Sequence, residues 1–357
     1  MKVIFICTKS ITFNTFLKSQ AKNFIEKGLE VIVACSDSKN LECDEKIKYQ
    51  IDFPISTIQL FNFIRYFKIF FQILELTKKN SSSLFYLHTP IASHLFRIFT
   101  FFKKVKIVYF VHGFRFMSKS NIFKSLIFKL IEKILSLNTN FFITINSEDY
   151  NYAVHNLTDK KKCQKVNGVG LNLNFKKKIK IKKKKAIKKI LVIAAYKKEK
   201  GYYELLKIAE RIRDKNLNIE CYGYGNFEQF KQIKSQKKLK KISFNKFDPN
   251  LNKIMKNYDI LLHLSKREGL PVSLMQSLSE GIPVICYNIR GNNDLIKDNF
   301  NGLFVSSYKE VLGKILFINF NKNFFHKLRN NAIKTIDTSF SQDQINQNIL
   351  KIFKKIN

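Results

Sequence analysis

The stretch Arg267–Val284, "REGLPVSLMQSLSEGIPV", holds residue types that could bind an anion. It follows "YDILLHLS", a continuous apolar run that reads as a buried strand. "KREG" is then the exit loop. Pro271 has the fixed φ suited to a first helical position, and Gly281 is placed to end that helix. Leu274, Met275 and Leu278 share a face with Pro271, and Ser273, Gln276, Ser277 and Glu280 lie on the other side. The loop Glu268, Gly269, Leu270 therefore sits at a helix N-terminus, where open N–H groups and the helix dipole favour negative charge. Gly269 allows a ligand close to the backbone. Gln276, one to two turns in, leans back toward the same place. An ordinary strand–helix–strand turn has the same features, so geometry alone leaves both readings open.

Other chemistry-bearing residues stand at strand ends. Lys200, in "KKEKGYYEL", is a point charge suited to phosphate. Arg290 and Gly291 open the loop after "PVICY", with Asn292 and Asn293 beside them. His112 ends "VKIVYFV" and His88 ends "SLFYL"; a lone His at a strand end is structural as readily as functional. "NSED", Asn146–Asp149, reads first as a capped helix start. The six Cys show no C-x-x-C spacing, and several lie in apolar runs, so they read as reduced core residues.

The elements that must position these groups alternate. "KVIFIC", a helix over "FLKSQAKNFIEKG", "LEVIVAC", "SLFYLH", a helix from about Ile91, "VKIVYFV", a helix over "FKSLIFKLIEKILSL" and "NFFITI" make the first half. "IKKILVIAA", "NIECYGY", "KISFN", "YDILLHL", "PVICY" and "GLFV", with helices between, make the second. Continuous apolar strands separated by helices imply parallel sheets covered on both faces. Between the halves, ten of the fourteen residues from Lys176 to Lys189 are Lys and none is acidic. Such a run repels itself and stays out of a core. The expected division is a first domain over 1–170, a Lys-rich linker over 171–187, a second domain over 188–335, and a C-terminal helix over 336–357 that packs back on the first domain.

The 357 residues suffice for two cores, and the 45% hydrophobic content excludes a disordered chain. No run reaches the roughly 18 apolar residues of a membrane span, and "VIFIC" is too short for a signal core, which points to the cytoplasm. The formal charge of +37 favours polyanionic partners, although abundant Lys, Ile, Asn and Phe, all with A/T-rich codons, show that coding composition contributes. The Lys are not interleaved with a stacking platform, so no specific nucleic acid is expected. "LFNFIRYFKIFFQILEL", Leu60–Leu76, reads equally as an interfacial helix and as one facing a core.

"SKREGLPVSLMQSLSEGIPVICYNIRGNNDLI" resembles the donor-site signature of family 4 glycosyltransferases. "FLKSQAKNFIEKGLEVIVACS", "HTPIASHLFR", "VYFVHGFRF", "IEKILS", "ITINSEDY" and "GVGLNLNF" occur in the order of the branch that builds capsular, exopolysaccharide and lipid-linked glycans. The resemblance implies an α/β GT-B fold, two doubly wound Rossmann-like domains facing a central cleft. It implies retaining, metal-independent transfer from a nucleotide sugar, with UDP the favoured carrier, to a lipid-linked or surface-glycan acceptor. No cofactor is expected beyond the nucleotide sugar as co-substrate, and peripheral contact with the anionic inner face of the cell membrane is. Glu268 and His112 are then the catalytic pair, placed against the transferred sugar. Lys200, Gly269, Leu270, Pro271, Gln276, Arg290 and Gly291 take the donor, Lys200 meeting the diphosphate. His88 and position 14, an Asn (Asn14) beside Phe13, lie on the acceptor side.

Two departures stand out. The family pattern is E-x₇-E, and here the second acid, which binds the ribose diol, is Gln276. Many members carry an Arg where this chain has Ala195; Arg267 and Arg290 are candidates to compensate. A sugar-nucleotide epimerase-like enzyme of the same fold, and a basic nucleic-acid- or membrane-binding protein without transferase activity, are the alternative readings.

Overall fold

The computed structural model describes residues 1–54, 63–117, 122–172, 186–212, 216–248 and 250–356. They form two compact units, Met1–Gly170 with Ser341–Asn357, and Leu171–Phe340.

In the first unit seven strands form one sheet: β1 (Lys2–Ile6), β2 (Glu30–Cys35), β3 (Lys48–Gln50), β4 (Leu84–Leu87), β5 (Lys106–Val111), β6 (Phe141–Thr144) and β7 (Cys163–Lys165). Their spatial order is β3-β2-β1-β4-β5-β6-β7, and all pairings are parallel. Helices α1 (Lys18–Glu26), α2 (Phe63–Lys79), α3 (Pro90–Phe99), α4 (Ile122–Ser136) and α5 (Ser147–Asn156) cover it. β1 and β4 are buried along almost their whole length, as strands covered on both faces must be. Phe5 of β1 is ringed by Phe13, Phe24 and Tyr86, with centroids 5.2–6.2 Å away. α1 is entered through a π-turn over Phe13–Leu17.

The second unit repeats the plan with β8 (Lys189–Ile193), β9 (Asn218–Gly223), β10 (Ile242–Lys246), β11 (Ile260–His263), β12 (Val284–Tyr287) and β13 (Gly302–Val305). The order is β10-β9-β8-β11-β12-β13, again parallel throughout. Helices α6 (Tyr202–Arg211), α7 (Glu228–Gln236), α8 (Val272–Ser279), α9 (Val311–Phe320) and α10 (Lys322–Thr335) accompany it. Both orders are those of doubly wound Rossmann-like sheets, reversing between β1 and β4 and between β8 and β11.

The last helix, α11 (Gln342–Ile356), belongs to the first unit. Its Asn346 accepts a hydrogen bond from Gln20 at 3.1 Å, and Phe353 meets Phe24 and Tyr86 edge to face. The division falls at 340/341 instead of 335/336, because the backbone of Leu171 bonds Phe340 inside the second unit. Ile187, placed in the linker from sequence, is a core residue of that unit, its N–H held by Asn319 Oδ1 at 2.7 Å. Residues 173–185, most of the Lys run, lie outside the described residues, as do Leu60–Asn62 of the aromatic-rich segment. In the rest of that segment Ile69, Ile73 and Leu76 of α2 are buried, while Phe63, Phe67 and Phe71 face solvent.

α3 and α4 are joined by a buried Arg97–Glu132 ion pair with His94 against it. Arg97 Nη2 donates to Glu132 Oε2 at 2.9 Å, and His94 Nε2 lies 2.8 Å from Glu132 Oε1. The Arg97 guanidinium lies 4.3 Å over the Tyr109 ring. Burial pushes the Glu132 carboxyl up, but Arg97 and His94 more than offset this and hold it below its ordinary value. Removing one partner strands a desolvated charge. Arg97→Met should therefore cost about 3–5 kcal/mol in urea unfolding, and adding Glu132→Leu should recover much of it.

Candidate functional site

Two strand exits meet where the second sheet reverses. Leaving β8, the chain makes a short 3₁₀ turn, Lys198–Lys200, and Gly201 begins α6. Leaving β11 at His263, it runs through Glu268 into α8. Gly201 adopts φ +81°, and a Cβ there would stand 2.4 Å from the Leu264 carbonyl oxygen, so only glycine lets the loops touch. Lys266 N–H bonds the Glu199 carbonyl at 2.9 Å, and its ammonium reaches Glu204 at 2.6 Å.

This contact brings Lys200 and Glu268 together. Lys200 Nζ donates to Glu268 Oε1 at 2.6 Å. His263 Nε2 stands 3.1 Å from the same oxygen, at ion-pair distance but off the line of a hydrogen bond. Burial pushes the Glu268 carboxyl up; His263 and Lys200 outweigh it and bring it down to about 2. Glu268 is thus a carboxylate at any working pH, an acceptor and not a proton donor.

α8 begins one residue later than its sequence suggests. Pro271 is the N-cap, with ψ 119°, and its carbonyl accepts from Leu274 at 3.1 Å. Pro271 itself supplies no side-chain cap. Leu274, Met275 and Leu278 are buried as expected, but so is Ser277, because its hydroxyl closes the helix end on the Ile282 carbonyl at 2.9 Å. Gln276 is half-buried. Leu270 is buried, which leaves its backbone as the part suited to a ligand. Arg290 Nε donates to the Glu268 carbonyl at 3.0 Å, so this buried side chain secures the loop. Gly291, at φ +78°, passes so close that a Cβ would sit 2.2 Å from the Gly269 carbonyl oxygen.

The reversal in the first unit places the exits of β1 and β4 side by side. The Thr8 and Thr89 hydroxyls are 2.7 Å apart, and Thr89 also accepts from the Thr8 N–H at 3.0 Å. Thr89 holds φ +65°, a strained value for a β-branched residue. A cavity of about 230 Å³ opens there, lined by Thr8, Lys9, Thr12, Thr89, Ile91 and Arg115 among others.

His88 is fully buried, stacked on Phe5, with Nδ1 3.0 Å from His112 Nε2. It supports His112 from behind and has no surface to offer an acceptor. Asn14 is also engaged at both ends, donating to the Asn40 carbonyl at 2.9 Å and accepting from the Glu42 N–H at 3.0 Å; its neighbour Phe13 is core. Asn146 caps α5, accepting from the Asp149 N–H at 2.8 Å. Asp149 in turn faces the Phe114 N–H at 3.4 Å, which ties the His112–Gly113–Phe114 loop to α5.

Known families cover both units. The family described as "Glycosyl transferases group 1" matches residues 174–335, and "Glycosyl transferase 4-like" matches residues 2–147. The chain belongs to the GT-B glycosyltransferases. EpsD of Bacillus subtilis (strain 168) is 24% identical over 321 residues, covering 85% of this transferase and 83% of EpsD. A galactosyltransferase of Escherichia coli, named for moving galactose from UDP-Gal to α-D-GlcNAc-diphosphoundecaprenol, is 26% identical over 68% of this transferase and 67% of its own length. The crystal structure of Anabaena HepE with UDP and glucose superposes with a TM-score of 0.76 at 14% identity, covering 99% of this transferase and all of HepE.

Three residues at these strand exits were not singled out from the sequence. His263 lies inside an apolar strand run and reads as core. Thr8 and Thr89 are small polar residues whose pairing spans two distant loops; the proline after Thr89 was the one available hint of its extended ψ.

The His88–His112 pair is held neutral. Burial and then the neighbouring imidazole keep His88 well below its usual value, and burial brings His112 to about 4. The unfolded chain therefore binds more protons below pH 6.5. The pair's contribution is complete above pH 6.5 and is lost as the pH falls through about 4. Urea midpoints of the transferase should decline across this window, and His88→Phe should make the decline shallower. Equal slopes for the two proteins would contradict the buried-neutral assignment.

Proposed function

We propose that this transferase moves a sugar from a UDP-linked donor to a lipid-linked or surface-glycan acceptor, with retention at the anomeric carbon. The observation that carries the reading is the Lys200–Glu268 contact of 2.6 Å at the strand-order reversal, beside the start of α8. Ligands of open parallel sheets bind at such a place. The E. coli relative, named as a UDP-Gal-dependent transferase acting on a diphosphoundecaprenol-linked sugar, supports the donor and acceptor classes.

In this reading the Lys200 ammonium and the open N–H groups of α8 meet the leaving diphosphate, and their fixed charge stabilises it as the glycosidic bond breaks. That role requires no metal ion. Lys200 has three donors, so it can serve a phosphate oxygen while still holding Glu268. Glu268, ionised and oriented by Lys200 and His263, accepts hydrogen bonds from the hydroxyls of the sugar. His112, in the first unit, is neutral and braced by His88. Retention follows if the acceptor attacks on the side the diphosphate leaves, which calls for no protein nucleophile. Gln276 holds the ribose diol through one amide acceptor where a carboxylate would offer charge-assisted bonds.

Glu268→Ala should abolish transfer when the purified enzyme is offered a panel of UDP-sugars with undecaprenyl-diphosphate-linked acceptors; full turnover in that variant would sink the site. Gln276→Glu should tighten UDP binding by about 1 kcal/mol, roughly fivefold, by calorimetry. Unchanged or weaker binding would remove Gln276 from the ribose.

A further inference from the structure

The strand order of the first unit reverses between β1 and β4, and open parallel sheets hold ligands at such a reversal. The cavity of about 230 Å³ at this place is lined by two cations, Lys9 and Arg115, and by the hydroxyl residues Thr8, Thr12 and Thr89. No acidic residue lines it. The carboxylate at the adjoining β2 exit, Asp37, is committed to Ser10, accepting from its N–H at 2.6 Å and from its hydroxyl at 2.7 Å. Among the described residues neither Lys9 nor Arg115 is in an ion pair. The Arg115 guanidinium lies over the Phe128 ring, 5.2 Å from its centroid. At the reversal of the second unit, by contrast, Lys200 already has Glu268.

The hydroxyls are prepared as well. Thr8 and Thr89 share one hydrogen bond of 2.7 Å, and Thr89 also accepts from the Thr8 N–H. Two hydroxyls carry two hydrogens, and one is spent between them. The other is left for an oxygen of a ligand. Thr8 is fixed through its carbonyl, which accepts from the Ser36 N–H at 3.1 Å. Thr89 is kept at φ +65°, and strain of this kind persists at ligand clamps.

Unopposed cations with spare hydroxyl donors call for an anion. The donors come from three strand exits: Thr8, Lys9 and Thr12 after β1, Thr89 after β4, and Arg115 after β5. A planar carboxylate is matched by one fork of donors. Donors arriving from three segments suit the tetrahedral oxygens of a phosphate.

We infer that this cavity binds the phosphate of the acceptor, so that the transferase selects sugars joined to phosphate over neutral glycan ends. The inference rests on the acceptor reading proposed above and adds to it the group recognised and the residues that recognise it. Lys9 and Arg115 meet the phosphate oxygens with charge-assisted hydrogen bonds, and the Thr8–Thr89 pair gives its remaining hydrogen. The acceptor is then supplied by a reaction that joins a sugar to a carrier phosphate.

The test uses the full chain. Inorganic pyrophosphate is titrated by calorimetry at about 0.15 M salt, with UDP saturating so that the donor site is filled. Lys9→Gln with Arg115→Gln should weaken pyrophosphate binding by about tenfold or more. Neither side chain is buried and neither belongs to the donor loops, so the urea midpoint and UDP affinity should stay at wild-type values. Turnover is then compared on a sugar linked to a short prenyl diphosphate and on the octyl glycoside of the same sugar. The wild type should prefer the diphosphate, and the double variant should raise its KM by about tenfold or more. Pyrophosphate binding unchanged in the variant overturns the inference, and so does a wild type that uses both acceptors equally. Lost pyrophosphate binding with a wild-type KM for the diphosphate-linked acceptor overturns the acceptor assignment and makes the cavity a site for a free anion. No transfer from any UDP-sugar to either acceptor would sink the proposed function, and the pyrophosphate titration then decides the anion site by itself.

Discussion

A parallel strand can join its neighbour only through a crossover, and when successive crossovers run in opposite directions along the sheet, two strand exits are left side by side with no helix between them. In the second unit those exits follow β8 and β11. Lys200 and Glu268, 68 residues apart, become an ion pair for this reason. The meeting is rigid because backbone touches backbone. Gly201 lies against the Leu264 carbonyl and Gly291 against that of Gly269, with no room for a side chain at either. Arg290 then fastens the loop by its own carbonyl.

The first unit uses the same topology with different physics. Its reversal is dominated by aromatic packing around Phe5 and by two imidazoles kept neutral through burial. Where the second unit pairs Lys200 with Glu268, the first presents the Thr8 and Thr89 hydroxyls and a neutral His, with Lys9 and Arg115 lining the cavity beside Thr89. The buried cluster of Arg97, His94 and Glu132 lies elsewhere, between α3 and α4.

Much of this was legible in the chain of letters. The buried strands announced themselves as unbroken apolar runs, because a strand covered on both faces has no polar side. Glu268, Lys200 and Gly291 were named from the resemblance of their loops to a family signature, because local spacing alone also fits an ordinary strand–helix turn. Asn146 could be named as a cap from the two acids that follow it. For other residues the sequence left the outcome open, because burial is a collective property. His88 sits at a strand end as His112 does, yet Phe5 and its surroundings close over it. Ser277 shares its spacing with Gln276, yet bonds the Ile282 carbonyl inside the fold.

By itself, then, the sequence determined what is local: where strands and helices run, that two α/β units follow one another, and which loop holds a carboxylate at a helix start. Those follow from periodicity and from backbone preferences that act over a few residues. The tertiary structure alone decided the rest: that His263 joins Lys200 in holding Glu268 ionised, that His88 braces His112, that Thr8 meets Thr89, and that Glu132 is buried against Arg97 and His94. Each depends on the dielectric and the partners around a group, and these are supplied by residues far away in the chain.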